Sequence, residues 1–316
     1  MKNPTLVSRR AFLGYTAGLG AAGLLPTRLL SGRLQAADDV APRDAWQIGC
    51  YTRPWSDLEY REAFDAVAEA GFKYVGLMTT RSPNRLVMPA TTTVEEARQI
   101  GEEAKQRGLR IVSNYGGGIG VGKSLEEGIA DMKRLIDACH AAGCPSLLMG
   151  GIGNENLFPV YFKAVAETCD YAAEKGVAIV IKPHGGLNAT GPQLRECIKT
   201  VGHDNFRLWY DPGNIYYYSE GALNPVDDAA TVDGLVTGMC VKDFTMTVED
   251  EKPVRKVAIT PGTGKVDFPA VLARLKQGGF TGGPLVVECV APSDDPKAVL
   301  DEARKARVFL EKLVAA

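Results

Sequence analysis

Eight short apolar runs recur along this chain at intervals of about 30 residues, the length of a strand-helix-strand unit. They occupy residues 47–51, 74–78, 110–114, 145–149, 177–182, 206–211, 238–243 and 284–289. None alternates apolar with polar residues, a pattern that suits parallel strands buried on both faces. The segments between them carry helical periodicity, as in 62–70 and 129–142. Gly71, Gly108, Gly143 and Gly176 close several of these segments, where a left-handed cap ends a helix. Eight such units predict a (β/α)₈ TIM barrel, whose usual size is roughly 250 residues. An open doubly wound sheet seldom runs to eight regular units. No linker or shift of composition divides the chain, so residues 38–316 are expected to form one barrel domain.

Residues 1–37 read differently. Ser8-Arg9-Arg10-Ala11-Phe12-Leu13 is a twin-arginine pattern, followed by an apolar run over 13–25 and small residues at Leu34-Gln35-Ala36-Ala37. The run is too short and glycine-rich to span a bilayer. It predicts an export signal, a periplasmic or extracytoplasmic location, and no stable membrane insertion after export. An uncleaved anchor or a disordered tail is the alternative. The seven cysteines include no C-x-x-C pair, which argues against a disulfide framework or a structural zinc site. Folding in the reducing cytoplasm before export is consistent with that usage.

Charge excludes one class of partner. Against 38 Asp and Glu stand 36 Lys and Arg, for a formal net charge of −2. A nucleic-acid binder would show a clustered basic excess. A small-molecule partner is expected instead, and a homo-oligomer remains open.

A barrel carries its chemistry at the C-terminal ends of its strands. Those ends offer Tyr51 and Arg53, Met78 and Thr79, Asn114 and Tyr115, then Met149-Gly150-Gly151. The later ends offer Lys182 and His184, Asp211 and Asn214, Lys242 and Asp243, and Glu288. Buried strands do not finish in Lys, Asp or Glu for packing reasons. Four consecutive strands that do so predict a convergent site. Tyr51, Arg53, Tyr115 and Asn214 fit substrate contacts by stacking or hydrogen bonding. The long excursion over 245–262 and the loop Tyr216-Tyr217-Tyr218 are expected over the same end. Trp209 and Cys240 read as core, and His140 and His203 as structural or exposed.

One motif points elsewhere. Gly117 to Ser124 fits the G-x-x-x-x-G-K-[ST] phosphate loop. It belongs to the third of eight units, and the next strand ends Met149-Gly150-Gly151 with no magnesium-holding Asp. No nucleotide cofactor is therefore expected. The loop amides could still bind an anionic or polyhydroxylated substrate.

Lys182-Pro183-His184-Gly185-Gly186, Asp211-Pro212-Gly213-Asn214, Val241-Lys242-Asp243, the run from Pro261 to Phe268, and Val286-Val287-Glu288 resemble the xylose isomerase-like TIM barrels. That sugar (phosphate) isomerase and epimerase superfamily also holds hydroxypyruvate isomerases and endonuclease-IV-type enzymes. The resemblance covers essentially everything after the export signal. It implies a sugar substrate and a divalent metal (Mn, Mg or Zn) held by Glu, Asp, His and Glu at the ends of strands five to eight. Asp211 and Glu288 match two of these ligands. Lys182 stands where the strand-five glutamate belongs, and Cys240 stands at the strand-seven histidine.

An ammonium offers protons and no lone pair. Lys182 would thus replace the electrostatic role of the metal and stabilise an oxyanion as a proton leaves the carbon beside a carbonyl. Glu288 or Asp211 would act as base, His184 as proton shuttle, with Lys242 beside them. A residual metal on Asp211, Glu288 and His184 is the alternative. The expected activity is isomerisation or epimerisation of a sugar or keto-sugar. Elimination or hydration on the same barrel, or carbohydrate binding without catalysis, are the rivals. Abasic-site endonuclease chemistry is disfavoured by the neutral charge and the three histidines.

Overall fold

The computed structural model describes residues 46–250 and 252–315. The twin-arginine segment and its boundary at residue 37 lie outside the described residues. Ten strands follow in chain order. They are β1 (Trp46–Tyr51), β2 (Tyr74–Leu77), β3 (Arg110–Tyr115), β4 (Ser146–Met149) and β5 (Ala178–Ile181), then β6 (Phe206–Tyr210), β7 (Val236–Val241), β8 (Thr245–Glu249), β9 (Lys252–Lys256) and β10 (Gly283–Val287). Eight of them close a barrel in the order β1-β10-β7-β6-β5-β4-β3-β2. Every barrel pairing is parallel, including the closing one between β1 and β10, in which Trp46 faces Gly283. The fold is a TIM barrel.

Local chemistry explains the helices. Thr93 and Glu96 form a capping box at the start of Val94–Gln106, and Glu59 with Glu62 does the same for Tyr60–Glu69. Gly71, Gly108, Gly143 and Gly176 all have positive φ, as their places at helix ends require. Among the described residues no helix is long and apolar enough to cross a membrane.

Two apolar clusters result. The larger lies between strands and helices. The smaller fills the barrel itself with Tyr51, Tyr74, Met78, Val112, Leu148, Val180, Trp209, Cys240 and Val286. Tyr51 lies across β2 so closely that a Cβ on Gly76 would come 2.2 Å from its ring. Gly76 is therefore what admits the tyrosine to the interior.

The excursion after β7 is a hairpin, with β8 and β9 antiparallel. It rests on the tyrosine segment, where Arg255 donates from Nη1 to the Tyr217 carbonyl at 2.9 Å and stacks on its ring. That segment is a short helix, Pro212–Tyr218, rather than a loop. Asp211 caps it and proline opens it, a combination that starts a helix efficiently.

The glycine loop before the helix Leu125–Ala141 is filled by its own chain. Asp131 Oδ2 accepts from the Gly120 amide at 2.7 Å, Ser124 Oγ accepts from Glu127 N, and Lys123 is exposed. The carboxylate of Asp131 sits where an anion would be cradled.

Candidate active site

Four charged residues are each the first beyond a strand. Lys182 follows β5, Asp211 follows β6, Lys242 follows β7 and Glu288 follows β10. Backbone bonds still hold the ends in register, with Lys182 N donating to the Met149 carbonyl and Glu288 N to that of Val241. All four side chains are almost wholly buried.

They neutralise one another. Glu288 Oε1 accepts from Lys242 Nζ at 2.7 Å and from Arg53 Nη1 at 2.6 Å, while Oε2 meets Lys182 Nζ. Asp211 Oδ2 lies 3.5 Å from Lys182 Nζ and 3.3 Å from Lys242 Nζ, and Oδ1 accepts from the Asn214 amide at 3.0 Å. Every carboxylate oxygen of the pair thus has a donor.

Electrostatics follows from these contacts. Burial alone would raise the Glu288 carboxyl, yet Lys182, Lys242 and Arg53 outweigh it and hold the group well below the usual carboxylate range. Asp211, buried as deeply and touched at longer range, is raised by burial despite Lys242 and Lys182. Burial would lower both lysines. The carboxylates overcome it and keep the ammonium groups charged. Burial and the neighbouring Lys182, with Lys242 and Arg53 behind it, depress His184 to about 4, so its imidazole is neutral at pH 7.

A cavity of about 350 Å³ opens onto this cluster, lined by Arg53, Tyr115, Lys182, His184 and Glu288 on the charged side. Ser56, Met78, Thr79 and Arg85 complete its wall. Gly150 keeps that wall clear, since a Cβ there would lie 2.8 Å from the Tyr115 hydroxyl and 3.3 Å from His184 Nδ1. Tyr218 of the short helix packs on the outer side of His184, ring centroids 6.0 Å apart.

Asp211, Cys240 and Glu288 also bring ligand atoms within 4.8 Å of one another, the outline of a metal site. Its donors are poorly suited to a divalent ion. Two ammonium groups already hold the carboxylates, and burial pushes the Cys240 thiol up, towards its protonated form.

The chain matches the family model of xylose isomerase-like TIM barrels over residues 64–313. It belongs to that family. Among solved structures, a xylose isomerase domain protein from Planctomyces limnophilus is 22% identical, with a TM-score of 0.66 over 85% of this chain and 97% of its own. A D-psicose 3-epimerase solved in the presence of D-fructose is 15% identical, with a TM-score of 0.66 over 85% and 100%. A xylose isomerase-like TIM barrel protein from Mycobacterium smegmatis, in complex with magnesium, is 16% identical, with a TM-score of 0.67 over 85% and 98%. At these identities the likeness is one of fold. No curated protein matches the chain.

Within this family member the anticipated residues divide. Lys182, His184, Glu288, Arg53 and Tyr115 line one cavity, with Lys242 and Asp211 directly behind them. Tyr51 does not reach the cavity. It is fully buried in the barrel interior, and its hydroxyl donates to Ser113 Oγ at 3.0 Å, which corrects the expected sugar contact. Asn214 is likewise turned inward: its amide donates to the Pro183 carbonyl at 2.6 Å and accepts from Lys242 Nζ at 3.1 Å. It positions Lys242 instead of meeting a substrate. Asp243 is spent on the backbone, accepting from Gly262, Gly264 and Val266 amides, which shapes the Pro261 to Phe268 run.

Trp209 and Cys240 lie in the interior as expected, while His140 and His203 bond at the surface to the Lys175 carbonyl and to Asp170. Sequence reasoning passed over Arg85, Ser56 and Asn188. Asn188 donates from Nδ2 to the Gly150 and Lys182 carbonyls and so fixes the turn that carries His184. Its only sequence signal is its place just beyond Gly185-Gly186.

Proposed function

We propose that this protein is a carbohydrate isomerase or epimerase that works by proton removal beside a carbonyl, without a divalent ion. Family membership and the likeness to sugar epimerases support the reaction class. The observation that carries the metal-free part is the occupation of every Asp211 and Glu288 oxygen by a donor, two of those donors being buried ammonium groups. A dication would have to displace both lysines and leave them buried beside it.

In this reading the substrate carbonyl oxygen lies against Lys182 Nζ, and the ammonium stabilises the oxyanion that develops as the C–H bond breaks. The base is His184. Glu288 was the natural candidate, but three cations make it too weak an acceptor, and Asp211 does not line the cavity. The neutral imidazole faces the cavity and, among the described residues, has no cation bonded to it. For isomerisation His184 then returns the proton to the neighbouring carbon, whereas epimerisation takes a proton on the opposite face of the planar enediolate, delivered by water or by a second group of the cavity wall. Glu288 and Asp211 keep Lys182 and Lys242 charged and in place.

The test is proton exchange. NMR in D₂O with aldoses, ketoses and 3-keto-sugars is expected to show deuterium entering beside the carbonyl at a rate that EDTA leaves unchanged. Exchange abolished by EDTA and restored by Mn²⁺ or Mg²⁺ would return the family metal to the site. No exchange with any sugar would leave a carbohydrate-binding barrel.

A pH profile tests the base. The rate constant kcat/KM reports the free enzyme, so it is expected to hold steady down through pH 6 and fall only as pH drops through about 4, where His184 protonates. An acid limb near the ordinary histidine value of about 6.5 would mean that burial and the neighbouring cations do not depress this imidazole, and a limb that persists unchanged in His184→Gln would exclude it as base.

A further inference from the structure

The four innermost charges cancel, Lys182 and Lys242 against Asp211 and Glu288. What remains at the mouth is positive. Among the described residues Arg53 bonds to Glu288 through Nη1 alone, and its side chain, which lines the cavity, is 41% exposed. Arg85 lines the same cavity, and its ion-pair partner Asp57 stands 3.5 Å away and almost fully in water, a loose pair that offsets the charge of the guanidinium but leaves it able to take a second partner. Arg85 also has φ of 54°, a left-handed conformation that non-glycine residues rarely adopt. The turn that holds it is closed by the Thr79–Leu86 bridge and by bonds from Arg85 N to the Ser82 carbonyl and from Thr80 N to that of Arg85. Strain of this kind persists where surrounding structure enforces it, commonly at ligand sites.

A second observation is independent of charge. Thr79 lines the cavity, and its Oγ1 is buried with no hydrogen-bond partner among the described residues. A buried hydroxyl without a partner is costly unless a ligand supplies one.

We propose that the substrate is a sugar acid, a polyhydroxylated monocarboxylate whose carboxylate is bound by Arg53 and Arg85 and one of whose hydroxyls meets Thr79 Oγ1. This deepens the enzymatic reading of the site and rests on it. The guanidinium fork matches a carboxylate in geometry. The charge count selects the same group: four cations (Arg53, Arg85, Lys182, Lys242) face three carboxylates (Asp57, Asp211, Glu288), leaving one positive charge. A carboxylate closes that balance. A phosphate monoester, with about −1.5 to −2 charges at neutral pH, overshoots it.

Calorimetric titration of the full chain with matched pairs decides the matter: gluconate against sorbitol, glucuronate against glucose, glycerate against glycerol, and glucose 6-phosphate as the phosphate arm. At least one acid is expected to bind about tenfold or more tightly than its neutral counterpart, the yield of a new charge-assisted bond. Added salt should shrink that advantage, and Arg85→Gln should remove most of it. Thr79→Val should weaken the acid several-fold while leaving the melting temperature unchanged or higher, because the hydroxyl has no internal partner to lose. If no acid outbinds its neutral partner, or if glucose 6-phosphate outbinds every acid, the proposal is overturned. Deuterium exchange separates the two readings. Tight binding of glucuronate, whose aldehyde can enolise, without exchange keeps the ligand class and removes the reaction, whereas exchange confined to neutral ketoses does the reverse.

Discussion

Glu288→Gln is expected to destabilise the protein by about 3–5 kcal/mol, the cost of breaking a buried ion pair by removing one partner. Glu288 alone touches three cations, and its side chain is fully buried. Glutamine keeps the volume and removes the charge. Lys182, Lys242 and Arg53 would then face a single carboxylate, Asp211, at 3.3 Å and 3.5 Å from the two lysines. Lysines can escape such a position only by losing protons, so part of the loss should be recovered at high pH. Urea or guanidinium denaturation at pH 7 and again near pH 9.5 measures both effects. A stability within about 1 kcal/mol of the parent would mean that water reaches the cluster and that its charges are screened as surface pairs are.

Lys182→Met is expected to do the opposite, keeping the fold and losing the reaction. Methionine fills a similar channel, and the remaining charges balance, Lys242 and Arg53 against Asp211 and Glu288. Removal of one oxyanion donor costs about 10²–10³ in kcat in enzymes that depend on such a group. The melting temperature should therefore move little while deuterium exchange falls by that factor. The pair of variants is informative because the residues touch each other. If Lys182→Met retained turnover, the ammonium would be a structural counter-ion and the oxyanion role would pass to Lys242 or Arg53.

The repeating apolar runs and their glycine caps made the barrel legible, because strand burial and helix termination are local properties. The charged cluster was legible for a related reason: Lys182, Asp211, Lys242 and Glu288 break apolar runs at places where packing offers them nothing. What the sequence could not show was direction. Tyr51 and Arg53 are two residues apart at the end of the same strand, yet one points into the barrel onto Ser113 and the other into the cavity onto Glu288. The space that admits Tyr51 is made by Gly76 on the neighbouring strand, a fact about register that no single segment contains. Asn214 was misdirected likewise, since only the folded chain brings Lys242 and the Pro183 carbonyl to it. Arg85, Ser56 and Thr79 lie beyond strands one and two, where irregular loops decide what faces the mouth.

The contact between Arg53 and Glu288 spans 235 positions and joins the strand pair, β1 and β10, that closes the barrel. In a chain made from its N-terminus, the segment carrying Glu288 follows the last of the eight barrel strands to emerge. Until then Lys182, Lys242 and Arg53 have Asp211 alone to balance them. The reaction centre is in this sense a seal. It forms only in molecules whose first and last barrel strands have found each other, and an incompletely folded chain carries a mutually repelling set of charges instead.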